Sequence, residues 1–212
     1  MEPAAGQPAT ERTEIWLFFD DATVYVAMRA WESEPSRVIA TEMRRDSGNI
    51  RQGDSIAFGF DTSYDRRNAF QFEVNALGAR TDGQSTNERQ YNGDWNPVWN
   101  VRATRFADGW SVEAALPFKS LRYRSGREQV WGFQARRISK WKNEISFLTR
   151  VPPSFGMGRG SFAASLFATV VGIEAPPSSR ILEIKPSVVA DVTTDRLRVR
   201  RSPNRADADA RR

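Results

Sequence analysis

Between Asp108 and Leu121 the chain runs Asp-Gly-Trp-Ser-Val-Glu-Ala-Ala-Leu-Pro-Phe-Lys-Ser-Leu, a tight-turn signal followed by alternating apolar residues Trp110, Val112, Ala114 and Leu116. A period of two is that of a strand with one face on a core, and it does not fit the 3.6-residue period of a helix. Asp108-Gly109 supplies the turn, because glycine takes the positive φ that a hairpin demands. Pro117 stops the ladder, because it has no N–H to donate. The same proline suits the first position of a short helical turn over Phe118 to Leu121.

The rest of the chain repeats this grammar. Thr13 to Phe19 and Thr23 to Trp31 read as a hairpin around Asp20-Asp21. Further strands are expected over Arg37 to Met43, Asp54 to Phe60, Asn68 to Asn75, Val98 to Phe106, Val130 to Ile138 and Glu144 to Thr149. No long helical period interrupts them. Many short strands punctuated by Gly, Asp, Asn and Pro point to an all-β fold, an antiparallel β-sandwich of immunoglobulin-like or jelly-roll-like kind. Thr81 to Pro97 is poor in aliphatics and holds Asp82-Gly83, Asn92-Gly93 and Asn96-Pro97, and is read as a long surface loop. The organisation expected is a polar lead over 1–12, a sandwich over 13–174, and a linker with the start of a following domain over 175–212. In that last part Ile181 to Thr194 is expected as a strand, and Ser202 to Arg212 as a polar tail.

Composition narrows the chemistry. With no Cys and no His among 212 residues, Ser-His-Asp triads, Cys-His dyads and His-ligated zinc are excluded. Lys and Arg number 31 against 26 Asp and Glu, a net charge of +5. The densest basic run, Arg196 to Arg201, lies in the tail, so nucleic acid is not the expected partner. No stretch approaches the ~20 apolar residues of a membrane helix. Met1 to Thr10 lacks the apolar core of an export signal. Trp110 and Trp131 each begin a clean alternation and read as core, as does Trp99 beside Val98. Asp54, Asp61, Asp65 and Asp82 are oxygen donors that would suit calcium, but their spacing matches no defined calcium loop, and Asp20-Asp21 and Asp61 read as turn residues; no cofactor is assigned. Glu113 is a lone outward carboxylate. Glycoside hydrolysis needs two at ~5 to 9.5 Å, so an ion pair with Arg136 or Arg137 is the expected role, and no catalytic residue is assigned. Gly156-Met157-Gly158-Arg159-Gly160 lacks the Lys-Ser/Thr of a phosphate loop and reads as a loop before the last apolar strand.

An ordered set of motifs resembles the family-nine carbohydrate-binding module, in the version that precedes an outer-membrane β-barrel in Gram-negative bacteria. It comprises Thr10-Glu11-Arg12-Thr13-Glu14, Leu17 to Val26, Arg44-Arg45-Asp46, Gly53-Asp54-Ser55-Ile56, Phe70 to Asn75, Gly109 to Glu113, Pro117 to Arg122 and Trp131-Gly132-Phe133. The resemblance covers about Thr10 to Ile173. It implies a β-sandwich, a periplasmic or outer-membrane setting, and a barrel as the neighbouring domain. It also implies that an export signal and a first strand precede what is present here, which would leave a sheet edge open.

In sugar-binding members of that family two tryptophans sandwich the sugar and polar side chains fix its hydroxyls. The resemblance sets the first tryptophan position at Arg51 and the second near Thr149, neither of them aromatic. The family's glutamate falls at Ala57, its arginine at Glu73 and its glutamine near Arg136. A replacement site is expected on the aromatic and amide-rich loop Tyr91 to Trp99. It would use Trp95 as platform, with Trp141 and the polar partners Glu73, Arg136 and Asn143. The leading expectation is a non-catalytic carbohydrate-binding module. A docking domain at the periplasmic mouth of a barrel, with no sugar ligand, is the alternative, and an accessory part of a glycoside hydrolase is third.

Overall fold

The computed structural model describes residues 4–155 and 159–177. The strand expected over Ile181 to Thr194, the tail beyond it, and Gly156 to Gly158 of the glycine-rich segment lie outside the described residues.

Among the described residues eleven strands follow in chain order. They are β1 (Thr13–Phe19), β2 (Thr23–Trp31), β3 (Ser55–Asp61), β4 (Ala69–Asn75), β5 (Arg80–Thr86), β6 (Gln90–Asn92), β7 (Asn100–Phe106), β8 (Gly109–Pro117), β9 (Glu128–Ser139), β10 (Glu144–Phe147) and β11 (Ala168–Glu174). They form two antiparallel sheets. One has the order β1-β2-β8-β7, the other β10-β9-β3-β4-β5-β6, with β11 also paired to β9. Strand β9 is long enough to take two partners along one edge, β11 on its first half and β10 on its second, while β3 occupies its other edge.

The alternation read around Trp110 faces the core as expected. Val24, Val26, Met28 and Ala30 of β2 and Trp110, Val112, Ala114 and Leu116 of β8 are buried against Ile56, Phe58, Phe60, Phe72, Val74, Trp131, Phe133 and Ala135 of the larger sheet. Trp99 is buried with them, edge-on to Phe58 and Phe72. Each Val, Leu, Ile, Phe or Met side chain among them contributes roughly 1.5–3 kcal/mol on removal from water. Gly109 sits at φ +152°, where a Cβ would lie 2.1 Å from the carbonyl oxygen of Ala30, so only glycine fits this turn. Pro117 is the last residue of β8, and Phe118–Ser120 forms the short helical turn.

Two expectations are corrected. Arg37 to Met43 is not a strand. Pro35–Arg37 is a 3-10 turn, and the segment after it docks on Asp54: the backbone N–H of Asp54 donates to the carbonyl of Ile39, and the Asp54 carboxylate accepts from the Ile39 N–H at 2.6 Å. A side chain has taken the place of a ladder partner. Thr81 to Pro97 is not wholly a loop, since β5 and β6 fall inside it. Asp82 and Ser85 of β5 are buried while β6 is exposed, and Asp82 accepts from the Trp99 indole N–H at 2.6 Å and from Arg45 at 2.8 Å.

Candidate functional site

The outer face of the larger sheet carries the polar residues of β3, β4 and β9, and registry decides which of them meet. Ala57 pairs with Glu73 on one side and Arg136 on the other. With only a methyl group between them, the two long side chains close over Ala57, and Arg136 Nη2 reaches Glu73 Oε1 at 2.5 Å. Ser55 donates to the same oxygen, and Arg51, from the 3-10 turn Gly48–Gln52, donates through Nε to Glu73 Oε2 at 2.7 Å. Burial pushes the Glu73 carboxyl upward, but the guanidiniums of Arg136 and Arg51 outweigh it and hold the group below its ordinary value. The segment around Ser161 covers the pair. Its carbonyl accepts from Gln71 at 2.8 Å, and its hydroxyl accepts from Arg136.

Beside this ion cluster stands Tyr91 of the edge strand β6. Its ring crosses β5 over Gly83, where a Cβ would come within 2.4 Å of the ring, and its hydroxyl donates to the Asp82 carbonyl at 3.1 Å. Glycine in a polar strand thus opens the slot that lets an edge tyrosine lie on the sheet. Tyr91 meets Phe162 edge-to-face at 5.4 Å, and the Arg51 guanidinium lies 5.8 Å from the centre of the Phe162 ring. Burial raises the Tyr91 hydroxyl above its ordinary value, so it stays protonated at neutral pH. On one side of Tyr91 the hollow over Ala57, Glu73 and Arg136 has only about 10 Å³ of free space. Its other side opens into a groove of about 670 Å³ lined by Ser85, Glu88, Arg89, Gln90, Tyr91, Ser154, Phe155 and Phe162. Three rings with hydroxyl, amide and charged groups between them can stack on a flat, polyhydroxylated ring and hydrogen-bond its rim.

The residues singled out from sequence are only partly brought together. Glu73 and Arg136 meet directly. Trp95 is half-buried and packs on Phe70 at 4.7 Å and Phe72 at 5.8 Å, closing one margin of the core. Trp141 lies in the β9–β10 turn, at the Ser55 end of β3 rather than the Phe60 end where Phe70 pairs. Its ring is engaged by Arg37 at 5.2 Å and Lys142 at 4.9 Å. Asn143 holds the same turn at φ +52°. Glu113 is corrected: it is exposed on the outer face of the smaller sheet, in register with Arg102 of β7, while Arg137 pairs with Glu32. The calcium candidates are bound by N–H donors. Asp54 accepts from Ile39 and Lys140, Asp61 from Asp65 and Arg66, and Asp65 from Arg67 and Asn68. Among the described residues no group of three or more acidic side chains gathers to hold an ion.

Phe155, Phe162 and the platform role of Tyr91 are absent from the sequence reading. The one local signal was Gly83, a glycine within a polar strand, which marks close approach of another group. Nothing local announced the phenylalanines, which reach the groove through a long connection.

No family model and no curated protein sequence matches the chain. Solved structures do. A carbohydrate binding module family 9 from Caldicellulosiruptor kristjanssonii in complex with cellotriose aligns over 85% of this chain and 84% of its own, at 16% identity and a TM-score of 0.53. The module of that family from the same organism in complex with glucose aligns over 84% of each chain at 16% identity and a TM-score of 0.54. A candidate carbohydrate-binding protein from Bacteroides uniformis covers 77% of this chain and 79% of its own, at 11% identity and a TM-score of 0.59. The chain therefore has the sandwich fold of the family-nine carbohydrate-binding modules.

Proposed function

We propose that this protein is a non-catalytic carbohydrate-binding module that holds a glycan in the groove between Tyr91, Phe155 and Phe162. The observation that carries the reading is that groove: about 670 Å³, lined by the rings of Tyr91, Phe155 and Phe162 and by the polar residues Ser85, Gln90, Arg89 and Ser154. It lies on a sandwich shared with modules solved with cellotriose and glucose. Among the described residues of its lining the one carboxylate is Glu88, which accepts a hydrogen bond from the Ser165 N–H at 2.5 Å. The cell-envelope setting rests on the likeness of the sequence motifs to modules that precede an outer-membrane barrel.

The test is calorimetric titration with soluble mono- and oligosaccharides, beside Tyr91→Ala, Phe162→Ala and Trp95→Ala variants. Saturable binding weakened about tenfold by loss of either groove ring is expected, since one stacked ring contributes about 0.5–1.5 kcal/mol beyond its buried area. Trp95→Ala should act through stability instead. Full affinity in both groove variants would move the site elsewhere.

A second reading, docking to a barrel with no sugar ligand, is favoured by the outer face of the smaller sheet. There Trp16, Phe18 and Tyr25 are 39%, 55% and 37% exposed on adjacent strands, more apolar surface than a solvated face needs. Absence of saccharide binding by the folded chain would favour it.

A further inference from the structure

The chain's own charges deepen the carbohydrate reading, on which this inference rests. Glu73 is flanked by two guanidiniums, both of its oxygens are engaged, and Arg136 is shut away with its side chain 2% exposed. One positive charge is left over in this cluster, which lines the small hollow next to the groove, and Arg51, with 44% of its side chain exposed, is the member that solvent reaches. Arg51 spends Nε on Glu73, and its two terminal nitrogens make no hydrogen bond among the described residues. They belong to a guanidinium set against Phe162, a ring of the groove wall. On the groove's own lining stands Arg89, exposed and with no ion pair among the described residues, while the lining's one carboxylate, Glu88, accepts from a backbone N–H. A planar guanidinium fork with both ends free matches a carboxylate better than a hydroxyl, and a surplus cation beside low-dielectric rings gains most from an anion.

We infer that the groove takes an acidic saccharide, a uronate whose ring stacks on Tyr91 and Phe162 and whose carboxylate is held by Arg89 of the groove lining, with the uncompensated charge of Arg51 beside Phe162 adding to the attraction. The experiment is titration of the full chain with trigalacturonate, with its trimethyl ester and with cellotriose, at low and physiological salt. The ester has the same skeleton with the carboxylates neutralised. The acid is expected to bind about tenfold or more tightly than the ester, as a charged hydrogen-bonded pair warrants. That preference should shrink as salt rises and disappear in Arg89→Gln, which has no ion pair among the described residues to lose. Arg51→Gln, which removes the neighbouring surplus charge, must reduce the same preference to a smaller degree, and an unchanged preference in Arg89→Gln overturns the inference. Equal binding of acid and ester overturns the inference and leaves the carbohydrate reading standing. No binding of any of the three overturns both.

Discussion

Glu73 and Arg136 stand on strands that are not neighbours, and they meet because the residue between them is Ala57. Their polarity was legible in the sequence, and so was their place on strands. Their mutual closure was not, because it depends on registry across three strands and on the size of a third side chain. Replacing Glu73 by Gln would leave Arg136 buried without its counter-charge, and stability should fall by about 3–5 kcal/mol in denaturant titration. The pH dependence has a definite sign. The Glu73 carboxyl is held below its ordinary 4.5 in the folded protein, so its stabilisation is fully present above that value and is lost as pH falls through the lower folded one. Burial raises Asp54, Asp61 and Asp82 in the opposite sense, and acidification relieves the cost of ionising them. The melting temperature of the native chain should therefore drop below about pH 4.5 more steeply than that of Glu73→Gln, because only the former has this pair to lose.

At the level of the element, strands with one apolar face were read correctly and those without one were not. β2 and β8 alternate because one face is on the core, whereas β5 (Arg80–Thr86) has polar residues on both faces and resembles a loop. What holds β5 in the sheet is non-local: the ladder to β4 and the Trp99 and Arg45 contacts to Asp82. The opposite error, a strand expected over Arg37 to Met43, arose because the Asp54 side chain captures that backbone. Two glycines separate local strain from site geometry. Gly83→Ala would push a methyl into the Tyr91 ring, the far end of a side chain that can swing away. It should weaken saccharide binding about as much as Tyr91→Ala, with little change in melting temperature. Gly109→Ala meets backbone at φ +152°, where nothing can yield, and should cost well over about 1 kcal/mol in equilibrium unfolding without moving the groove.

For the whole molecule, the two sheets are joined at one end by a buried clamp as well as by the apolar core. Arg137, facing inward from β9, donates to Glu32 at 2.6 Å, to the Trp31 carbonyl at 2.6 Å, and to the Arg12 carbonyl and Thr13 hydroxyl at the start of the smaller sheet. Arg137→Met alone should destabilise by about 3–5 kcal/mol because it strands Glu32, with its side chain 0% exposed. Adding Glu32→Leu should recover most of that loss, and a double-mutant cycle by thermal unfolding would measure the coupling. A sandwich core of alternating strands was determined by the sequence alone, because alternation, Asp-Gly turns and strand-ending prolines are local and each acts on the backbone beside it. The site was decided only in three dimensions. An ion cluster built from three strands and a 3-10 turn, and a groove walled by β6 and the connection after β10, depend on sheet order and registry, which no local pattern encodes. Trp95 and Trp141 show the same division: both read as ring-bearing loop residues, and tertiary packing set one on the core margin and the other between two cations.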